Sequence, residues 1–140
     1  MIVLDTNVVS ELMLPRPDPR VLAWIAEQPI SELAITTISL MEVRYGIAAH
    51  PDPRRRDVLT AKFHQLLPRG FAGRVLPFDA PAAEARATIR AARKRAGLSD
   101  EFADAMIAAI AREAGASVAT RDKGGFAGCG VPVVDPWAAA

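Results

Sequence analysis

Short apolar runs of three or four residues alternate along this chain with longer segments of helical periodicity, and that alternation restricts the architectures open to it. The runs Ile2–Leu4, Leu33–Thr36, Arg74–Leu76, Ser117–Ala119 and Val131–Val134 read as buried strands, and the stretches between them read as helices. Strands joined through helices need right-handed crossovers, so a mostly parallel sheet with helices on both faces is expected. A length of 140 residues, with 51% hydrophobic and 24% charged, fits one globular domain spanning residues 1–140.

Several classes are excluded early. No apolar run approaches the roughly 20 residues that span a bilayer. Met1 leads directly into Ile2-Val3-Leu4-Asp5, without the basic and long apolar regions of an export signal. The lone Cys129 has no cysteine partner for a disulfide or a thiolate zinc site. A cytoplasmic protein is expected, and any metal must be bound through oxygen or histidine.

Local signals mark the helix boundaries. Asp5-Thr6-Asn7 caps a helix carrying Val8, Val9 and Leu12, and Val21, Leu22 and Ile25 carry the next as far as the Pro29 break. Ser39-Leu40-Met41-Glu42 matches a capping box opening a helix with Met41, Val43, Tyr45 and Ile47. Pro51-Asp52-Pro53 begins a further helix, carrying Val58, Phe63, Leu66 and Leu67. Pro81 begins an alanine-rich one that ends near Gly97. Ser99 is expected to cap a helix whose apolar stripe is Ala103, Ile107, Ile110 and Ala114, stopped by Gly115. Gly124 to Gly130 reads as a glycine-rich loop.

In open α/β sheets ligands collect beyond the carboxyl ends of the strands, and acids recur there. Asp5 directly follows the first strand and Asp122 the fourth, Glu42 lies in the first turn after the second strand, and Asp104 lies in the second turn of the helix before the fourth. Each has a purely local explanation: Asp5 as a cap, Glu42 as the partner of Ser39, Asp122 as a turn residue, and Asp104 as a solvent-facing position. Asp100 and Glu101 complement the helix dipole. Together, however, four acids converging on one sheet edge repel one another, and a divalent cation relieves that repulsion. Oxygen ligands favour Mg²⁺ or Mn²⁺, which bind through a few carboxylates plus substrate phosphate. Such an ion polarises a scissile phosphate and activates water, so phosphodiester hydrolysis is the expected chemistry.

The net charge of +1 decides nothing about nucleic acid, but its distribution is uneven. Basic residues gather at Arg54-Arg55-Arg56 with Lys62, and again at Arg86, Arg90, Arg93, Lys94 and Arg95, as solvated helix faces or phosphate contacts. His50 and His64 adjoin no acid-bearing segment and read as surface residues. Trp24 and Tyr45 read as core or interface residues.

The ordered set Ile2-Val3-Leu4-Asp5-Thr6-Asn7-Val8, Glu42-Val43-Arg44-Tyr45-Gly46-Ile47, Asp104-Ala105-Met106-Ile107-Ala108-Ala109-Ile110-Ala111, Thr120-Arg121-Asp122 and Asp135-Pro136-Trp137 resembles the PIN-domain ribonucleases, specifically the VapC or FitB type of toxin from bacterial toxin–antitoxin pairs. The resemblance covers essentially the whole chain. It implies a three-layer α/β/α sandwich in which Asp5, Glu42, Asp104 and Asp122 are the catalytic, metal-binding carboxylates. Asn7 and Thr120 would orient ligands or water. Many relatives place asparagine where Asp122 stands and an aspartate immediately before the equivalent of Phe126, where this chain has Gly125, a variant associated with the FitB-like branch. Glu101, on the face of Asp104, is a possible substitute ligand. Arg44 and Arg121 are possible phosphate contacts. The resemblance also implies RNA as substrate, a homodimer, a VapB/FitA-like antitoxin that occludes the site, and operator DNA bound only through that antitoxin.

Two other readings remain open from sequence. A receiver-like phosphoacceptor module also gathers acids around magnesium at strand ends, but needs paired acids after its first strand, where this chain offers only Asp5. A PIN scaffold used only for binding would not need acids at all four positions.

Overall fold

The computed structural model describes residues 1–70 and 74–138. Strands β1 (Ile2–Leu4), β2 (Leu33–Thr36), β3 (Val75–Leu76), β4 (Ser117–Ala119) and β5 (Val133–Val134) form one sheet in the order β3-β2-β1-β4-β5. Every pairing is parallel, as the strand–helix alternation requires. The helices are α1 (Thr6–Leu12), α2 (Pro19–Glu27), α3 (Thr37–Ala48), α4 (Pro53–Gly70), α5 (Ala80–Arg95), α6 (Phe102–Glu113) and the single turn α7 (Lys123–Phe126).

The strands alternate their buried side chains between two cores. Val3 and Val118 face a core built with α5 and α6 around Ile89, Ile107 and Phe126. Leu4 and Ala119, one residue on, face the opposite core with Val8 and Val9 of α1, Val21 and Trp24 of α2, Val43 and Ile47 of α3, and Phe63 of α4. The result is a three-layer α/β/α sandwich. The chain runs outward from β1 through β2 to β3 and then returns to place β4 on the other side of β1, so strand order reverses between β1 and β4. That switch point fixes where a ligand crevice opens.

Several boundaries differ from the sequence expectation. Helix α3 starts earlier than the Ser39 signal suggests: Thr36 is the N-cap, its hydroxyl accepting from the Ser39 amide at 3.1 Å. Glu42 therefore lies beyond the first turn and takes no part in a capping box. Ser99 likewise does not cap α6. Glu101 is the N-cap residue, without a side-chain hydrogen bond, which places Asp104 in the first turn and not the second. The presumed glycine loop contains α7, capped by Asp122. Some apolar residues at helical spacing turn outward, with Leu22, Met41, Tyr45 and Val58 exposed and Ala114 outside the core stripe. Trp24 is a core residue and Tyr45 is not.

Because Thr36 is buried and satisfies the start of α3, Thr36→Ala should lower unfolding free energy by about 1 kcal/mol or more, as loss of an N-cap does. Urea denaturation followed by circular dichroism measures it; unchanged stability would contradict this capping assignment.

Candidate active site

The crevice at the switch point is built from backbone outward. The Asp5 amide donates to the Ala119 carbonyl at 3.0 Å, locking the end of β1 to the end of β4. Asp5 is also the N-cap of α1, with Oδ1 accepting from the Thr6 amide at 2.7 Å. Its Oδ2 accepts from Thr120 Oγ1 at 2.7 Å and from Asn7 Nδ2 at 3.0 Å. Thr120 is fully buried, and its hydroxyl in turn accepts from Asn7 Nδ2 at 3.2 Å and from the Asp122 amide at 3.0 Å. One hydroxyl thus ties the acid after β1 to the acid after β4.

Glu42 is held from a different direction. Thr6 Oγ1 donates to Glu42 Oε1 at 2.6 Å, and with that proton committed, Ser39 Oγ is the donor in its 2.9 Å bond to Thr6. Asp122 uses Oδ1 to accept from the Gly125 amide at 3.1 Å. Asp104 projects from the first turn of α6 toward Asp122. A Cβ built on Gly125 would collide with Asp104 Oδ2 and come within 2.9 Å of Asp122 Oδ2. The two carboxylates occupy the space that a side chain there would take, so any larger residue would have to displace them.

These residues line one open cavity of about 420 Å³. Its wall carries five acids, Asp5, Glu11, Glu42, Asp104 and Asp122, together with Thr6, Asn7, Ser10 and Leu14, and no basic residue. Sequence reading missed Thr6, Ser10 and Glu11. The signal was present: Asn7, Ser10 and Glu11 fall at i, i+3 and i+4, one face of α1, and Leu14 follows just beyond its C-cap. Glu11 spends Oε2 on the Asp18 amide at 3.1 Å.

Burial and the crowding of like charge show in the carboxyl pKa values. Burial raises the Asp5 carboxyl above its usual range, opposed by the Thr120 and Thr6 hydrogen bonds and reinforced by the charges of Glu42 and Asp122. Asp104 is pushed up to about 7, first by desolvation, then by its hydrogen bond with Asp122 and by the charges of Asp5, Asp122 and Glu101. Asn7 Oδ1 is buried with no partner among the described residues.

An oxygen-only, acidic donor set with an orphaned acceptor beside it suits a hard cation in kind. Among the described residues, no three acidic, histidine or cysteine side chains are already drawn into a ligand shell. The remaining candidates lie elsewhere. The Glu101 carboxylate accepts from Ser99 Oγ at 2.8 Å and does not line the cavity. Arg44 stacks on Phe63 and bonds His64 at 3.1 Å, Arg121 lies 4.0 Å above the Trp137 ring, and neither reaches the cavity wall. His50 accepts from the Asp52 amide and is structural.

Comparison with known proteins identifies the family. A family model described as "PIN domain" matches residues 2–128. The chain is similar to "VapC ribonuclease Y4jK" of Sinorhizobium fredii, 43% identical over 98% of both chains. It is also similar to "Toxin FitB" of Neisseria gonorrhoeae, 40% identical over 98% of this chain and 99% of that one. Among solved structures, "Structure of FitAB bound to IR36 DNA fragment" superposes with a TM-score of 0.91 at 39% identity, covering 100% of this chain and 98% of that one. With a family match over nearly the whole chain and full-length relatives at this identity, the chain belongs to the PIN domain family.

Proposed function

We propose that residues 1–140 act as a single PIN domain, a Mg²⁺- or Mn²⁺-dependent endoribonuclease toxin of the cytoplasm restrained by a cognate VapB/FitA-like antitoxin. The observation that carries this reading is the convergence of Asp5, Glu42, Asp104 and Asp122, from four separate parts of the chain, on one cavity without a basic residue in its wall. The names of the relatives support the class: one is called a ribonuclease and another a toxin. The solved structure of FitAB bound to a DNA fragment supports a partner protein and a DNA-bound complex.

In this reading Asp5, Glu42, Asp104 and Asp122 hold the cation, and the chain's other groups fix their orientation. A bound divalent cation supplies positive charge for the scissile phosphate and lowers the pKa of water. Thr120 and Asn7 hold Asp5, Thr6 and Ser39 hold Glu42, and Gly125 keeps open the space where Asp104 meets Asp122. The acidic wall repels an RNA backbone until the cation is bound, so cation and substrate bind cooperatively. Arg44 and Arg121 are already stacked on aromatic rings and are poor phosphate contacts. Exposed Met41 and Tyr45, one turn apart on α3, form an apolar face consistent with a homodimer, which light scattering distinguishes from a monomer.

Asp5→Asn tests the central role. The loss of several kcal/mol of charge stabilisation, at about 1.4 kcal/mol per tenfold in rate, should reduce RNA cleavage by a hundredfold or more with the fold retained. A purified, folded variant cutting RNA at the parent's rate would refute the reading.

The raised pKa of Asp104 sets a pH dependence. The folded state holds its proton more tightly than the unfolded state, so this group makes the metal-free protein less stable as pH rises from about 4 through about 7. Cation binding needs the ionised form and binds only the folded state. The melting temperature gained on adding Mn²⁺ should therefore grow from pH 6 to pH 8, and Asp104→Asn should raise the metal-free melting temperature and remove most of that gain. Scanning calorimetry across this range would expose a failure as a pH-independent Mn²⁺ shift.

A further inference from the structure

Arg93 is the most completely buried cation of the described chain, 2% exposed on the inner face of α5, and it forms no ion pair among the described residues. Burying a guanidinium costs several kcal/mol unless its donors are satisfied, so what satisfies them has functional meaning. Nε donates to the Ser99 carbonyl at 3.0 Å, and Nη1 donates to the carbonyls of Gly124, at 3.3 Å, and Ala127. These carbonyls belong to two segments far apart in sequence. Ser99 lies in the connection that launches α6, two residues before its N-cap, and the first turn of α6 carries Asp104. Gly124 and Ala127 bracket Gly125, whose amide holds Asp122 and whose missing side chain makes room for Asp104.

We infer that Arg93 is a positioning residue: its planar fork clamps the Ser99 and Gly124–Ala127 backbones together and so sets the separation of the Asp104 and Asp122 carboxylates. It touches neither acid and acts through the two segments that present them. Lysine keeps the charge but offers a single ammonium on a flexible stem, which does not reproduce donation from two nitrogens in one plane to two backbones. The inference rests on reading those acids as a cation site.

The experiment measures Mn²⁺ affinity by calorimetry on the parent, Arg93→Lys, Arg93→Met and the exposed control Arg95→Gln, each checked for folding by circular dichroism. Loss of an outer-shell support typically costs about 10–100-fold in metal affinity, and that weakening is expected for a folded Arg93→Lys, with kcat for RNA reduced and KM for RNA unchanged. Arg95→Gln should match the parent. A folded Arg93→Lys that binds Mn²⁺ like the parent overturns the inference, whatever its melting temperature. Failure of both Arg93 variants to fold overturns it too, by assigning the residue to stability alone. Absence of Mn²⁺ binding in the parent would instead sink the proposed function, and this inference with it.

Discussion

Mutual repulsion among acids gathered at the β1–β4 switch point is the constraint around which this molecule is arranged. Parallel strands deliver their carboxyl ends to one edge, and the reversal of strand order there opens a crevice without any special loop. Placing Asp5, Glu42, Asp104 and Asp122 around it works against stability: burial first, and then the neighbouring carboxylates, raise the pKa of Asp5 and Asp104. The fold tolerates the charge by supplying donors to Asp5, Glu42 and Asp122. Asp5 alone accepts from a backbone amide, a hydroxyl and a side-chain amide.

That arrangement explains the glycine before Phe126. Where an acid at position 125 would project toward Asp104, this chain fills the space from the other side of the α7 turn, with Asp122. An acid at both positions would overfill it. The local explanation of Asp122 as a capping residue is also correct, since its Oδ1 holds the Gly125 amide while Oδ2 lies toward Asp104. Capping and charge clustering are served by one carboxylate, as they are at Asp5.

The sheet was legible because its strands are short, apolar and separated by helical periods, a pattern with few alternative solutions. Helix starts were less legible: the Ser39–Glu42 spacing satisfies a capping-box template, yet buried Thr36 wins because the turn begins directly at the end of β2. Tertiary placement also decided Tyr45, whose helical spacing resembles a core position although α3 turns it to solvent. Asp5, Glu42 and Asp122 were visible as residues after strands, and Asp104 as an acid near the start of the helix leading into β4. Glu11 was not, because its position on the polar face of α1 looks like ordinary surface until that face meets the crevice. Arg93 sat within a basic run and carried no mark that it, like Arg86, points inward.

The most direct measurement is anomalous diffraction from crystals soaked in Mn²⁺. The account requires a Mn²⁺ peak inside the cavity walled by Asp5, Glu42, Asp104 and Asp122, with their carboxylate oxygens as its protein ligands. An empty cavity in crystals of protein that still cleaves RNA in Mn²⁺, or a peak held by residues elsewhere, would contradict it.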